Sequence, residues 1–296
     1  MKKIRIGIPR ALHYYRNGVF WKTFFDYLGC KVILSPETNQ EIINLFSIKN
    51  FNSICLPYKI YLGHIIYLKE KCDYILINEI CNYSKKEKVC QKHQHIIDDL
   101  KDIINKDQIL KLHIDHKKMQ YQLFGLIRIA LKITKNPVII IYSYIKAKQK
   151  QKKYNITKQN ENKNKLLKPE KKVLLVSNFY NLHDKYIMSS IINTLKLNNI
   201  IAIYSNYLDY KTATFFSPYF SNNLKYKYYQ ETMGSLYYYK YQVDGIIIIS
   251  DKYCNTDSII SKKAIEKNVD IPLINLVIGN EYMNNKKLSE FIKTIK

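Results

Sequence analysis

The chain has 296 residues and a formal net charge of +24, with 48 Lys and Arg against 24 Asp and Glu, and it is 47% hydrophobic. That length fits two domains of ordinary size, and no apolar run reaches the roughly 18 residues a membrane span needs, the longest candidate (residues 137–145) being broken by Tyr142, Ser143 and Tyr144. Six cysteines are too few for a disulfide scaffold, and the amino end MKKIRIGIPR has no secretory apolar region; the expectation is a cytoplasmic protein with no membrane partner, whose reduced thiols serve metal binding, thiol chemistry or plain burial.

Residues 3–8 (KIRIGI) read as a first strand, and Trp21, Phe24, Phe25 and Leu28 mark one face of a helix over about 20–28. A strand at 31–34 comes next. Ser35-Pro36 turns the chain, and Thr38 with Glu41 three places on makes a capping-box pattern for a helix to about residue 46. A short strand then ends at Cys55. Pro57 suits a first helical turn and pushes the residue before it out of helical geometry, so a helix runs from Pro57 to about residue 71. Its apolar stripe is Ile60, His64 and Leu68, widened by Leu62, Ile65 and Ile66. Cys55 therefore stands at a helix amino end, where free N–H groups and the helix dipole stabilise a thiolate acting as nucleophile, redox thiol or metal ligand. Lys59 and Gly63 follow at four-residue steps, placing a cation and room for close backbone approach below it. A buried structural cysteine is the competing reading.

A strand at 74–77 leads into a loop, NEICNYSKKEKVCQKHQH, that carries Cys81, Cys90, His93 and His95 in a spacing that matches no common structural zinc site well. A helix at 96–104, a strand at 109–113 and a helix at 117–134 complete the half. Residues 146–172 hold 11 lysines against Glu161 and Glu170, a net of +9 in 27 residues. This reads as a solvated helix end passing into a linker, with a polyanion-binding arm as the minority reading. Only Arg5, Arg10, Arg16 and Arg128 among the cations are arginines, the residue that meets phosphate and guanine edges in bidentate fashion. The wealth of Lys, Asn, Ile and Tyr resembles the drift of AT-rich coding, so a nucleic-acid partner is disfavoured.

Beyond it lie strands at 172–177, 200–204, 244–250 and 272–277. Helices are expected at 184–197, 231–241 and from Asp257, and a tyrosine-rich stretch at 215–229. The tyrosines (Tyr226, Tyr228, Tyr229, Tyr237, Tyr238, Tyr239, Tyr241) offer a base-stacking platform, but their spacing suits core and interface better. The alternation of strand and helix predicts an α/β fold with mainly parallel sheets. The domain plan is an N-terminal α/β domain over 1–140, a Lys-rich helix end and linker over 141–170, and a C-terminal α/β domain over 171–296.

Cys55, Cys90 (with Cys81) and Cys254 each follow an expected strand, at the carboxyl edge where open α/β sheets bind ligands. Cys30 and Cys72 precede strands and read as structural. Three converging thiolates suit an iron–sulfur cluster with one open iron; zinc or a catalytic thiol would fit nearly as well.

The segments IGIPRALHYYRNGVFWKTFFDYLGCKVILSPETN, CLPYKIYLGH, YNLHDKYI and VDGIIIISDKYCNTDSI resemble, in order, the activase-related proteins, a family related to the activases and subunits of 2-hydroxyacyl-CoA dehydratases. The resemblance spans nearly the whole chain. The family pattern runs IGIPRAL…WKTFF, an acidic residue ahead of CLP-x-K with GH following, CPK, HPYN-x-YD and FGCGPDS. It falls here on Cys55, Pro57, Lys59, Gly63, His64, Cys90, Lys92, Tyr180, Asn181, Asp184, Cys254, Asp257 and Ser258. The resemblance implies two Rossmann-like domains with a 4Fe-4S cluster site between them. Cys55, Cys90 and Cys254 are then the metal ligands, with Lys59, His64, Asp184 and Asp257 around the cofactor. It implies low-potential electron transfer or reductive activation of an acyl-CoA-type substrate, with a redox partner or that substrate as the partner and a homo- or heterodimer as the assembly. The departures are Asn52 and Ser53 where an acidic residue is expected, Gln91 and Phe179 in place of prolines, Tyr253, Asn255 and Thr256 around the last cysteine, and a faint terminal motif at Gly279-Asn280-Glu281-Tyr282. These thinned motifs leave two alternatives, a non-catalytic family member and a lysine-rich polyanion-binding protein. With 8 glycines and no phosphate-cradling glycine loop, the ATP-hydrolysing activase module is not in this chain.

If the charge is compositional, generic duplex DNA binds at physiological salt only in the ~10⁻⁴–10⁻⁶ M range of non-specific association. Fluorescence anisotropy against a panel of duplexes checks this, and a nanomolar, sequence-dependent affinity contradicts it.

Overall fold

The computed structural model describes residues 3–46, 54–82, 89–119, 121–220, 226–267, 270–279 and 281–295, without the side chains of 281–283. The chain forms two compact units, residues 1–48 with 58–154 and residues 49–57 with 155–296.

In the first unit, β1 (Arg5–Ile8), β2 (Lys31–Leu34), β3 (Tyr74–Asn82) and β4 (Ile109–Asp115) make a parallel sheet in the order β2-β1-β3-β4. Helices α1 (Tyr14–Tyr27), α2 (Gln40–Asn44), α3 (Leu56–Lys69), α4 (Gln91–Gln94) and α5 (Ile96–Asp99) lie in the connections, and α6 (Gln122–Leu131) and α7 (Pro137–Leu166) follow. Parallel strands must be joined by crossovers that cover the sheet, so the strands are apolar on both faces. Trp21, Phe24 and Phe25 of α1 pack with Ile6, Leu110, Leu112 and the α6 residues Leu126, Ile129 and Ala130. Arg5 and Asp73 tie the sheet's lower edge through the Arg5 amide and guanidinium.

The second unit strings β5 (Lys172–Val176), α8 (Phe179–His183), α9 (Lys185–Leu197), β6 (Ile201–Tyr204), α10 (Tyr210–Phe220), α11 (Lys227–Tyr239), β7 (Gly245–Asp251), α12 (Asn255–Glu266), β8 (Leu273–Ile278) and α13 (Glu281–Ile295) into a parallel sheet of order β6-β5-β7-β8. Side chains alternate across it as a pleat requires. Val173, Leu175, Ile247 and Ile249 face Met188 and Ile191 of α9 and Leu288, Phe291 and Ile292 of α13. Leu174, Val176, Ile246 and Ile248 face Met233 and Leu236 of α11 and Ile260 and Ala264 of α12. The fold is α/β with two Rossmann-like parallel sheets, as the alternation of elements predicts. In each, the winding reverses between the first and third strands in sequence, which is where such sheets bind ligands. Among the described residues no helix is long and apolar enough to cross a membrane.

Several expectations need correction. Residues 146–166 are helical throughout rather than a helix end followed by irregular chain: α7 is one helix of 30 residues, and the division between the two units falls within it, after residue 154. It has no glycine, and no proline beyond its first position, and the charge pattern hides its anchors. Gln151 accepts from the Phe20 amide in the first unit, while in the second the buried Asn162 side chain donates to the Tyr204 carbonyl and accepts the Tyr204 amide. No strand leads into Cys55 among the described residues: Ile54 and Cys55 are irregular, and 51–53 lie outside them, Asn52 and Ser53 included. The cap of α2 is Asn39, which accepts from the Ile42 amide, because the Thr38 hydroxyl is engaged by His64. β3 continues through Cys81 to Asn82, pairing with a longer β4, and α4 takes 91–94, so only 83–90 and His95 remain of the expected loop, with 83–88 outside the described residues. The helix expected at 96–104 is a single turn at α5, and the one expected at 117–134 begins only at Gln122. The 215–229 stretch lies on α10 and α11, where Tyr229 and Tyr239 are core residues, with 221–225 outside the described residues.

Two glycines mark backbone contacts that admit no side chain. A Cβ at Gly63 would strike the Ile42 carbonyl, and one at Gly234 the Ala213 carbonyl, whereas one at Gly18 would meet only the Tyr14 ring. Gly63→Ala and Gly234→Ala should each destabilise the protein by about 1–3 kcal/mol, read from urea unfolding, with Gly18→Ala distinctly milder. Equal effects at all three positions would contradict these contacts.

Candidate functional site

At the switch point of the second sheet, β5 and β7 end side by side and hand over to polar residues. Apolar runs stop abruptly, at Ser177-Asn178 after β5 and at Ser250-Asp251 in β7. Asp251 is buried, and its carboxylate accepts the amides of Tyr253 (2.8 Å) and of Leu56 (2.8 Å), the residue after Cys55. Its own amide donates to the Asp257 carboxylate at 3.1 Å, and its carbonyl accepts the Cys254 amide at 3.0 Å. Cys254 is the N-cap residue of α12, with its sulfur 2.8 Å from the Thr256 hydroxyl. Asp257 lies in the first turn of α12, buried, and also accepts from the Asn178 side chain at 2.8 Å.

Burial pushes the Asp257 carboxyl up to about 7, and the nearby Asp251 charge adds to this against hydrogen bonds from the Asp251 amide, Cys254 and Asn178. A carboxyl poised there can hold or release a proton near neutral pH. Beside it, the Ser177 hydroxyl donates to the Ile249 carbonyl and accepts from the Asn181 side chain. The buried Asn181 Oδ1 has no hydrogen-bond partner among the described residues. A narrow pocket lined by Ser177, Asn178, Asn206 and Glu231 opens on this edge.

The structure thus brings Cys254, Asp257 and the Cys55-Leu56 turn onto one polar network in the second unit. Cys55 is half-buried ahead of α3, and Lys59 is half-buried one turn along that helix. His64 is fully buried further on, with Nε2 3.1 Å from the Thr38 hydroxyl. Asp184 caps α9, accepting from the amides of Tyr186 and Ile187. Cys90, in the first unit, is half-buried at the N-cap position of α4. Lys92 is paired to Asp99, which also accepts the Tyr58 hydroxyl. Cys30 and Cys72 are buried, and burial pushes both thiols up to about 11, as suits structural cysteines. Of the terminal motif, Asn280 and the side chains of Glu281 and Tyr282 lie outside the described residues.

Sequence reasoning missed Asp251, Asn178 and Ser177. The signal was there: a polar residue directly at the carboxyl end of an unbroken apolar strand. It also missed a second grouping, in the first unit, where Cys81, His113 and Asp115 each bring a ligating atom within 4.8 Å of the others. Asp115 is held below the ordinary carboxylate range: burial opposes this, but the Asn82 side chain and the amides of residues 117 and 118 outweigh it.

A model of the family described as the CoA enzyme activase uncharacterised domain (DUF2229) matches residues 5–208; Cys55 and Cys90 fall inside the match and Cys254 beyond it. Among solved structures, the C-terminal domain of glucosamine-fructose-6-phosphate aminotransferase from Francisella tularensis aligns with 99% of this chain and 82% of its own at 12% identity and a TM-score of 0.24, too low to bear on fold or activity. No curated protein matches the chain.

The buried histidines set an acid limit. Burial, with the Arg10 charge adding to it, lowers His64 from 6.5 to about 4. In that window the unfolded chain binds the proton and the folded chain does not. Stability therefore rises with pH from about 4 to 6.5 and is lost as pH falls through the same range. His64→Gln should shrink that acid loss by roughly 3 kcal/mol at most. Urea unfolding above and inside the window measures it, and an unchanged pH slope would show that His64 does not titrate as its burial requires.

Proposed function

Given that the chain belongs to the family of the CoA enzyme activase uncharacterised domain, we propose that it is an activase-related iron–sulfur protein. Cys55, Cys90 and Cys254 supply three thiolates to a 4Fe-4S cluster with one iron left open. The cluster serves low-potential electron transfer or the reductive activation of an acyl-CoA-type substrate.

The observation that carries this reading is a shared placement. Each of these three half-buried cysteines immediately precedes a helix, α3, α4 and α12 in turn. Backbone N–H groups at a helix amino end favour a thiolate and, with it, a cluster of net negative charge. The donor set fits the group, since thiolates are what such clusters take. Two of the thiols also have a common tether: Asp251 binds the amide next to Cys55 and its carbonyl binds the amide of Cys254. Around the cluster, Lys59 supplies a cation, and Asp257 holds a proton near neutral pH next to Cys254. His64 holds the Thr38 hydroxyl and Asp184 the α9 amides, which fixes α3 and α9.

Purified without oxygen, the protein should be brown and carry about four irons and four sulfides per chain. Cys55→Ser, Cys90→Ser and Cys254→Ser should each strip or destabilise the cluster, while Cys30→Ser and Cys72→Ser keep it. A colourless protein without iron after anaerobic reconstitution would sink the reading.

A further inference from the structure

We propose a second metal site, independent of the cluster: a divalent transition-metal ion of the zinc type held by Cys81, His113 and Asp115 at the carboxyl ends of β3 and β4. The residues are set there by strand register. Glu79 stands opposite His113, and Asn82 opposite Asp115, with the register shifting between Ile80 and Asn82. The shift is a bulge centred on Cys81, and a bulge re-aims the side chain of its extra residue. Two side chains of β3 consequently address one carboxylate of β4. Asn82 donates to Asp115 Oδ1 at 2.6 Å, and the Cys81 sulfur shares its neighbourhood.

The three ligating atoms lie within 4.8 Å of one another. Around a tetrahedral ion with bonds of ~2.0–2.3 Å, ligand atoms stand roughly 3.3–3.8 Å apart, so side-chain adjustment alone closes the set. Sulfur, imidazole and carboxylate together select a borderline ion such as zinc over calcium or magnesium, which take oxygen alone. The surroundings are those of a metal-binding histidine. His113 Nδ1 is hydrogen-bonded to the Glu79 carboxylate, which fixes the tautomer and leaves Nε2 as the basic nitrogen. Glu79 is itself buried and held at 2.6 Å by Lys111. Asp115 is likewise oriented, by Asn82 and by the Lys117 amide at 3.0 Å. Three protein ligands leave the fourth position of a tetrahedral ion to water. Binding exchanges the Cys81 thiol proton for a metal–sulfur bond, so one proton is released to solvent.

The test uses the full chain, stripped of metal with a chelator and titrated with Co²⁺, then with Zn²⁺ against a chromogenic competitor. One Co²⁺ per chain should bind with thiolate-to-cobalt charge-transfer absorption that Cys81→Ser abolishes and the structural Cys30→Ser keeps. Zinc affinity should fall at least about tenfold in His113→Gln and Asp115→Asn, and about ten- to hundredfold in Glu79→Gln, in variants that retain the wild-type circular dichroism. The near-isosteric Cys81→Ser keeps the test valid if the other variants fail to fold. No charge-transfer band in the wild type, or a band that survives Cys81→Ser, overturns the proposal.

Discussion

Asp257 has lost nearly all its contact with water and stands next to a second buried carboxylate, and the second half of the chain is arranged to make that tolerable. Two acidic groups out of water cost far more than any surface ion pair returns, unless donors meet their oxygens. The donors here are mostly backbone amides: that of residue 251 for Asp257, and those of residues 56 and 253 for Asp251. Asn178 supplies a side-chain contact from the neighbouring strand end. Amide donors fix the course of the chain as well as the charge, so the turn with Cys254, the start of α12 and the Cys55 segment are all placed by satisfying the same two side chains.

The parallel sheets explain why polar groups gather at these edges. Inside the sheet, Ile246 to Ile249 have neighbours on both faces and no room for polarity. At the carboxyl ends the crossover connections leave, the helices begin, and unpaired amides appear together. In the first unit the same rule, with one extra residue in β3, assembles sulfur, imidazole and carboxylate at the β3–β4 end. Cysteines at the opposite edge have no such company, and Cys30 and Cys72 settle into the core.

Much of this was legible in the sequence. Apolar runs such as KVLLV and GIIII announce buried strands, and Asp184 ahead of a periodic segment announces a cap. The central face of α1 shows in Trp21, Phe24 and Phe25. What misled was local chemistry without its tertiary partner. Thr38 has the spacing of a cap, but a histidine 26 residues away takes its hydroxyl. The lysines of α7 look like linker because solvated side chains outnumber the few that anchor it. The roles of Asp251, marked only as a polar residue ending an apolar strand, and of the Cys81 grouping were missed for a different reason. Their meaning comes from register and from a hydrogen bond spanning 195 residues, and neither leaves a periodicity to read.

That long hydrogen bond has a consequence for how the molecule is made. The turn at Cys55 belongs to the second unit although it leaves the ribosome with the first. At ~5–20 residues per second, the 195 residues to its anchor take about 10–40 s to synthesise. Throughout that interval the cysteine ahead of α3 waits with its neighbour's amide not yet captured. Capture of the Cys55 turn therefore comes late in synthesis, and the nascent thiol is most exposed to oxidation or to stray metal before the last third of the chain exists.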